Sequence, residues 1–326
     1  MKGTIKLFIF SIILGVLGWS YQIVTGSPTG TYYKIGNDLK RFVADPINLN
    51  LKVVSTKGSV ENLKLMAVDP SNRFGIVQQD VIDATRKSSK LEIKLRAELV
   101  KLLLPLYIEE AHLIVRKGSP YQVFEDLKGK KYGVVKGSGS ALTSVLLGEE
   151  ILGTPPNRRI KVSSVQDGLQ KLKNGEIEWF LLVCGQPCSQ IKNLDGNLYR
   201  LLPFNPNRQY LNYEHAKILP NNYPNLHLSA PLPTIGVRSL LIIRDSSDPH
   251  VVSDVRKFAI ELYKKRQILQ TEGHPKWRNV PFKLIPIAGW KYYPPFQDGW
   301  EIGKGTSSSS GGRGCSPEEI LMGSCK

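Results

Sequence analysis

At 326 residues, with 41% hydrophobic and 22% charged side chains, the chain is long enough for two ordinary domains, and its composition is that of a folded globular protein rather than a fibrous or disordered one. The net charge of +16 is dispersed; its densest spans, Arg86–Lys101 with six basic residues and Arg256–Arg266 with five, look like outer helix faces without aromatic platforms, which argues against nucleic-acid binding. The five histidines (112, 215, 227, 250 and 274) are scattered, and neither a Gly-x-Ser-x-Gly elbow nor a His-Glu-x-x-His zinc motif occurs, so the pattern does not point to an enzyme.

Met1–Ser20 has the form of a secretory leader. Lys2 and Lys6 open it, Leu7–Leu17 is its apolar core, and Gly18-Trp19-Ser20 suits cleavage before Tyr21. The apolar run is short of the ~20 residues that span a bilayer; an uncleaved N-terminal anchor is the competing form. Gln22–Thr25 is expected as the first strand. It leads through Gly26-Ser27-Pro28-Thr29-Gly30-Thr31-Tyr32 into a helix whose apolar face is Ile35, Leu39, Phe42 and Val43. The design then repeats. Val53–Thr56 is a β-branched run, Lys57-Gly58-Ser59 breaks it, Ser59 is a natural N-cap, and the helix that follows carries Leu63, Met66 and Ala67 on one face. Phe74–Val77 is the next strand and stops at Gln78-Gln79-Asp80.

Asp83–Lys101 is expected to be helical and Leu106–Arg116 a long strand. Glu109 and Glu110 could suggest paired carboxylates, but neighbouring strand residues point to opposite faces. A third strand–turn–helix junction follows at Lys136-Gly137-Ser138-Gly139-Ser140, after strand Tyr132–Val135 and before helix Ala141–Leu152. It is neither a P-loop nor a dinucleotide fingerprint, since the Gly-Lys-Ser/Thr and the third glycine are missing. Lys161–Val165 and Trp179–Val183 are expected strands on either side of helix Asp167–Asn174, and the second of them runs into Cys184-Gly185-Gln186-Pro187-Cys188. Leu201–Pro233 is expected as loop with short elements, Thr234–Arg244 as a second long strand, Pro249–Leu269 as a helix, and Gly303–Gly314 as a Ser/Gly linker. The four cysteines suit an exported chain. They allow three pairings, of which the local pairs Cys184–Cys188 and Cys315–Cys325 are expected; no histidine accompanies either pair, so a metal site is not expected.

Two blocks of strand–helix units joined by two long strands imply an α/β fold of two lobes with a double crossover and a ligand held between them. Three Gly/Ser corners with few charged side chains suit an anion or amino-acid cradle rather than bond breaking.

The ordered set GSPTGTYYKIGNDL, STKGSVENLKLM, FGIVQQDV, DLKGKKYGVVKGSGS, LKNGEIEWFLLV, TIGVRSLLIIR and PIAGWKYY resembles the TAXI family, the extracytoplasmic solute receptors of tripartite ATP-independent periplasmic (TRAP) transporters. The resemblance spans roughly Gln22–Gly303. It implies a type II periplasmic-binding-protein fold with a leader over 1–20, a first lobe over 21–113, a second over 114–235, a return to the first over 236–302 and a flexible tail over 303–326. It also implies a small carboxylate ligand such as glutamate, glutamine or an α-keto dicarboxylate, no cofactor, and delivery to a TRAP membrane permease in the periplasm; a sensing or scavenging receptor without a permease is the alternative. Carried over by position, the ligand contacts would be Gly30, Thr31, Tyr32, Gly58, Ser59 and Gln78 in the first lobe and Ser138, Ser140, Gly185, Gln186 and Pro187 in the second. The family's Gly-Ser-Gly-Thr turn is Gly-Ser-Gly-Ser here, and its late His-Pro-Gly-Ala run is Pro286-Ile287-Ala288-Gly289.

Overall fold

The computed structural model describes residues 20–305. Residues 1–19 and 306–326 lie outside the described residues, and with them nearly all of the expected leader, most of the linker and the Cys315–Cys325 pair.

The first unit runs β1 (Ser20–Val24), α1 (Thr31–Leu39), β2 (Asn50–Val54), α2 (Ser59–Val68), β3 (Phe74–Gln78), α3 (Gln79–Lys87) and α4 (Leu91–Glu98). β1 pairs in parallel with β2 on one side and β3 on the other. The apolar stripe of α1 continues past its end through a wider turn at Lys40–Ala44, so Ile35, Leu39 and Val43 are all fully buried; each such side chain contributes about 1.5–3 kcal/mol by leaving water. The expected helix at Asp83–Lys101 is two shorter helices, α3 and α4, broken at Ser88–Lys90. Its last residues belong instead to β4 (Val100–Arg116), 17 residues long. The early start of β4 follows from its apolar content: Leu102, Leu103, Leu104 and Leu106 are all buried, which a strand covered on both faces requires.

The second unit holds β5 (Tyr132–Val135), α5 (Gly139–Val145, widening at Leu146–Ile151), β6 (Arg159–Val162), α6 (Val165–Asn174), β7 (Trp179–Cys184), α7 (Ser189–Lys192), β8 (Tyr199–Leu201) and β9 (Glu214–Ile218). The stretch expected to be mostly loop therefore supplies β9, which pairs with β10 (Leu232–Arg244). The chain closes with α8 (Pro249–Lys264), α9 (Arg266–Glu272) and α10 (Pro294–Gly303). Cys184 and Cys188 form a disulfide.

The strands lie in the order β2-β1-β3-β10-β4-β7-β5-β6. β4 and β10 are antiparallel and pair with each other along most of their lengths. The late half of β10 also pairs with β3, and the late half of β4 with β7 and β8. These two strands thus carry the chain from one lobe to the other and back. The lobe 1 sheet is covered on one side by a core that includes Ile35, Phe258 and Trp300, and on the other by one that includes Met66, Ile82 and Leu102. The lobe 2 sheet is likewise covered, by a cluster around Phe124, Trp179 and Phe204 and by one around Phe180, Ile191 and Tyr223. The parallel strands of both lobes end toward the space between them, where an α/β sheet collects its ligands.

Candidate functional site

A cavity of about 360 Å³ lies where the two lobes meet. Gly30, Thr31, Tyr32, Gly58, Ser59 and Gln78 line it from lobe 1, and Ser138 and Ser140 from lobe 2.

The lobe 1 corner is held from beneath. Asn62, fully buried on α2, donates from Nδ2 to Thr25 O (2.6 Å) and Ile76 O (2.8 Å), which ties the ends of β1 and β3 to the helix. Its Oδ1 accepts from Thr56 Oγ1 (2.6 Å), and the Gly58 amide donates to the same Thr56 oxygen (3.0 Å). Gly58 itself is the N-cap of α2, with φ of 116°, a conformation that a side chain would strain. Ser59, expected as that cap, is instead the first helical residue. It is buried, and its Oγ accepts the Gln78 amide proton (3.0 Å). The cap moved because only glycine takes the backbone angle that turns the serine inward.

In lobe 2, Ser138 is a true N-cap: Oγ accepts from the Ala141 amide (3.1 Å) and donates to Val135 O (2.9 Å). Ser140 faces β7, and its Oγ accepts from the Val183 amide (2.9 Å). The two corners touch. The Glu61 amide donates to Gly137 O (3.0 Å), and Gln78 Nε2 donates to Thr143 Oγ1 (3.3 Å). Thr143 in turn donates to Asp80 Oδ2 (2.7 Å), which also accepts from Tyr213 Oη (3.0 Å). Gly139 packs so closely that a Cβ there would lie 1.5 Å from Gln78 Oε1. The lobes are therefore in direct contact around the cavity.

Gly185, Gln186 and Pro187, expected among the contacts, do not line the cavity. The Gly185 carbonyl accepts from Thr31 Oγ1 (3.1 Å), the Gln186 amide donates to Glu110 Oε2 (2.8 Å), and the Gln186 side chain bonds Lys217 O, the Leu219 amide and Asn222. These partners and the short Cys184–Cys188 ring turn the loop away from the cleft, so it latches the lobes without facing their common space.

Among the lining residues outside the expected set, Glu109 is the acidic one. Glu109 and Glu110 do point to opposite faces, but both are buried. Glu110 pairs with Lys276 Nζ (2.6 Å), itself buried. Glu109 faces the cavity, is 3% exposed, and its Oε1 has no hydrogen-bond partner. Burial pushes its carboxyl up to about 8, against the weaker opposing pull of Tyr32 and Lys276. The hydroxyls of Tyr32 and Tyr107 are also buried without a hydrogen bond of normal geometry, and burial raises both well above the phenol range. The signal for Glu109 was present as a lone acidic pair inside an otherwise apolar strand, Leu102–Val115. Asp80, at the interlobe bridge, is raised to about 6 by burial. His112 is a satisfied core residue: it is fully buried, its Nε2 lies 2.9 Å from Tyr223 Oη, and burial lowers it to about 3. Among the described residues no cluster of three His, Cys, Asp or Glu could hold a metal ion, and no helix is long and apolar enough to cross a membrane.

Residues 23–278 match the model of the NMT1-like family. The chain belongs to the NMT1-like family. That match covers both strand–turn–helix corners of lobe 1, the whole of lobe 2 and both crossing strands. Among solved structures, this NMT1-like chain is similar to the arginine-, lysine-, histidine-binding protein ArtJ from Geobacillus stearothermophilus, at 15% identity and a TM-score of 0.50, over 79% of this chain and 94% of that one. A periplasmic sulfonate-binding protein, SsuA, from Methylobacillus flagellatus KT matches at 16% identity and 0.47, over 82% and 74%. The GluR0 ligand-binding core from Nostoc punctiforme, in complex with (L)-glutamate, matches at 14% and 0.47, over 79% and 95%. At such identities the likeness is one of fold. The NMT1-like chain has the type II periplasmic-binding-protein fold, with a mixed α/β sheet shared between two lobes.

Proposed function

We propose that this NMT1-like chain is an extracytoplasmic solute-binding receptor that closes its two lobes on a small carboxylate and hands it to a membrane permease. The observation that carries the reading is the interlobe cavity, lined by hydroxyls and main-chain groups from both lobes while the lobes touch through Glu61–Gly137 and Gln78–Thr143. Ser59 and Ser140 accept from backbone amides, which leaves their hydroxyl protons free to donate to a ligand oxygen. Each hydrogen bond to a charged group is worth roughly 1.5–3 kcal/mol. Four or five of them, offset by ordering and association costs, leave about −8 kcal/mol, or micromolar affinity.

The hinge in this reading lies in β4 and β10, near residues 113–114 and 235–236, and the ligand contacts are Gly30, Thr31, Tyr32, Gly58, Ser59, Gln78 and Ser140; Ser138, also expected as a contact, lines the space but spends its hydroxyl on its own turn. The narrower identity, a TAXI receptor working with a TRAP permease, rests on the ordered sequence motifs; a receptor used for sensing or scavenging shares the same cleft. Turnover is not part of the proposal, because the cleft brings together hydroxyls and amides around one acid rather than a nucleophile and its base. A thermal-shift screen of amino acids and dicarboxylates tests the reading. A ligand at 100 times its dissociation constant should add about 2.7 kcal/mol of stability, and a flat response across the screen would remove the small-carboxylate receptor.

A further inference from the structure

The cavity contains one feature that a site for carboxylates alone does not explain. Glu109 projects into it from β4, nine-tenths buried and more, with a carboxylate oxygen that no protein group satisfies. An unpaired acid buried this deeply costs several kcal/mol when ionised. Nothing in the core requires it there: the next residue, Glu110, already takes the one buried lysine of the region. Once ionised, Glu109 would repel a dicarboxylate or a sulfonate placed against it, whereas an ammonium would stabilise that ionised form. Around it the rest of the lining is donor-rich. Ser59 and Ser140 line the same space, and the sole cationic side chain of the lining, Lys57, is exposed.

We propose that Glu109 is the ammonium-binding residue of this cleft, so that the ligand is a small α-amino acid whose carboxylate meets the hydroxyl and amide donors while its nitrogen meets Glu109. The inference rests on the receptor reading above and narrows it from carboxylates in general to those with a neighbouring cationic nitrogen. The volume of about 360 Å³ sits at the low end for ligand pockets, as a compact zwitterion needs. The groups facing Glu109 are consistent with this. Tyr32 on α1 and Tyr107 on β4 stand beside the carboxyl, the Tyr32 hydroxyl interacting with it without normal hydrogen-bond geometry, Lys276 is bound to Glu110, and Asp80 lies beyond them at the interlobe bridge. No cation within hydrogen-bonding reach neutralises Glu109 among the described residues, and a ligand ammonium supplies that charge. Because the carboxyl titrates near 8, an ammonium must displace its proton, so binding is linked to proton release.

The test uses matched pairs that differ only in the nitrogen: alanine against pyruvate, and glutamate against α-ketoglutarate, measured by calorimetry on the whole chain and on Glu109→Gln. The expected result is at least about tenfold tighter binding of the amino acid of a pair. Its affinity should rise by up to about tenfold per unit between pH 6 and 8, with close to one proton released. In Glu109→Gln that preference and most of the pH dependence should vanish; any residue of the latter belongs to Asp80. Glu109→Asp, which keeps the charge and withdraws it by one methylene, should retain a weakened preference. If the keto acid binds as well as its amino acid, or if Glu109→Gln leaves the preference intact, the inference falls and the receptor reading stands. If neither member of either pair binds at millimolar concentration, both fall together.

Discussion

The Gly-Ser corners of the two lobes look alike in sequence and do different work. In lobe 2, Ser138 spends its hydroxyl on its own turn, accepting from Ala141 and donating to Val135. In lobe 1, glycine takes over as the cap, and Ser59 is released to face inward, where its Oγ accepts from the Gln78 amide. The lobe 2 serine therefore builds the corner, while the lobe 1 serine belongs to the cavity. Lobe 1 also has a buried acid beneath its corner, Glu109, for which lobe 2 has no counterpart in the lining. A repeated motif marks where a site lies; the backbone angle at one glycine decides which hydroxyl serves it.

The difference can be tested from the largest effect to the smallest. Glu109 holds its proton to about 8 in the folded chain, against an ordinary value of 4.5. The native state thus binds the extra proton across that window, and stability falls as pH rises through it. Glu109→Gln should therefore gain melting temperature over the parent as pH goes from 5 to 8.5, by several degrees at the upper end; parallel melting curves across pH would show that the buried acid carries no such penalty. Next, Gly139→Val would drive a side chain into Gln78 and hold the lobes apart. Binding should weaken about tenfold to a hundredfold, with each lobe still folded by circular dichroism, and unchanged affinity would mean that the corners need not meet. Ser59→Ala and Ser140→Ala should each weaken binding by about tenfold through one lost donor, read by calorimetry. Ser138→Ala is the contrasting case: it should cost roughly 1 kcal/mol of stability through the lost cap and leave affinity within about twofold. If Ser138→Ala hurt binding more than Ser59→Ala, the comparison would be reversed.

Much of this was legible in the sequence because corners are local. Glycine and serine after a β-branched run, followed by apolar residues at helical spacing, located the turns at 26–32, 57–59 and 137–140, and the structure sets all three around one cavity. What could not be read depends on contacts between distant segments. Strict alternation separates Glu109 from Glu110, but only the placement of β4 between β10 and β7 decides which of the two meets the cleft. The role of Gln78 as a bridge to Thr143 needs the lobes brought together. The loop Gly185–Pro187 was placed in the lining because it follows a strand end, as the true corners do; its polar groups are instead taken by Glu110 and by β9 and the turn after it. The Ser88 break between α3 and α4 was hidden because Arg86, Lys87, Lys90 and Glu92 flank it with charged residues that suit helix on either side.

The clasp between Glu61 and Gly137 is made of an amide and a carbonyl, not of side chains. At Glu61, any exchange short of proline leaves that bond's atoms in place; at Gly137, a φ of 96° reserves the position for glycine. Selection can thus rewrite the wall of the chamber, and with it what is admitted, while the catch on its door stays the same.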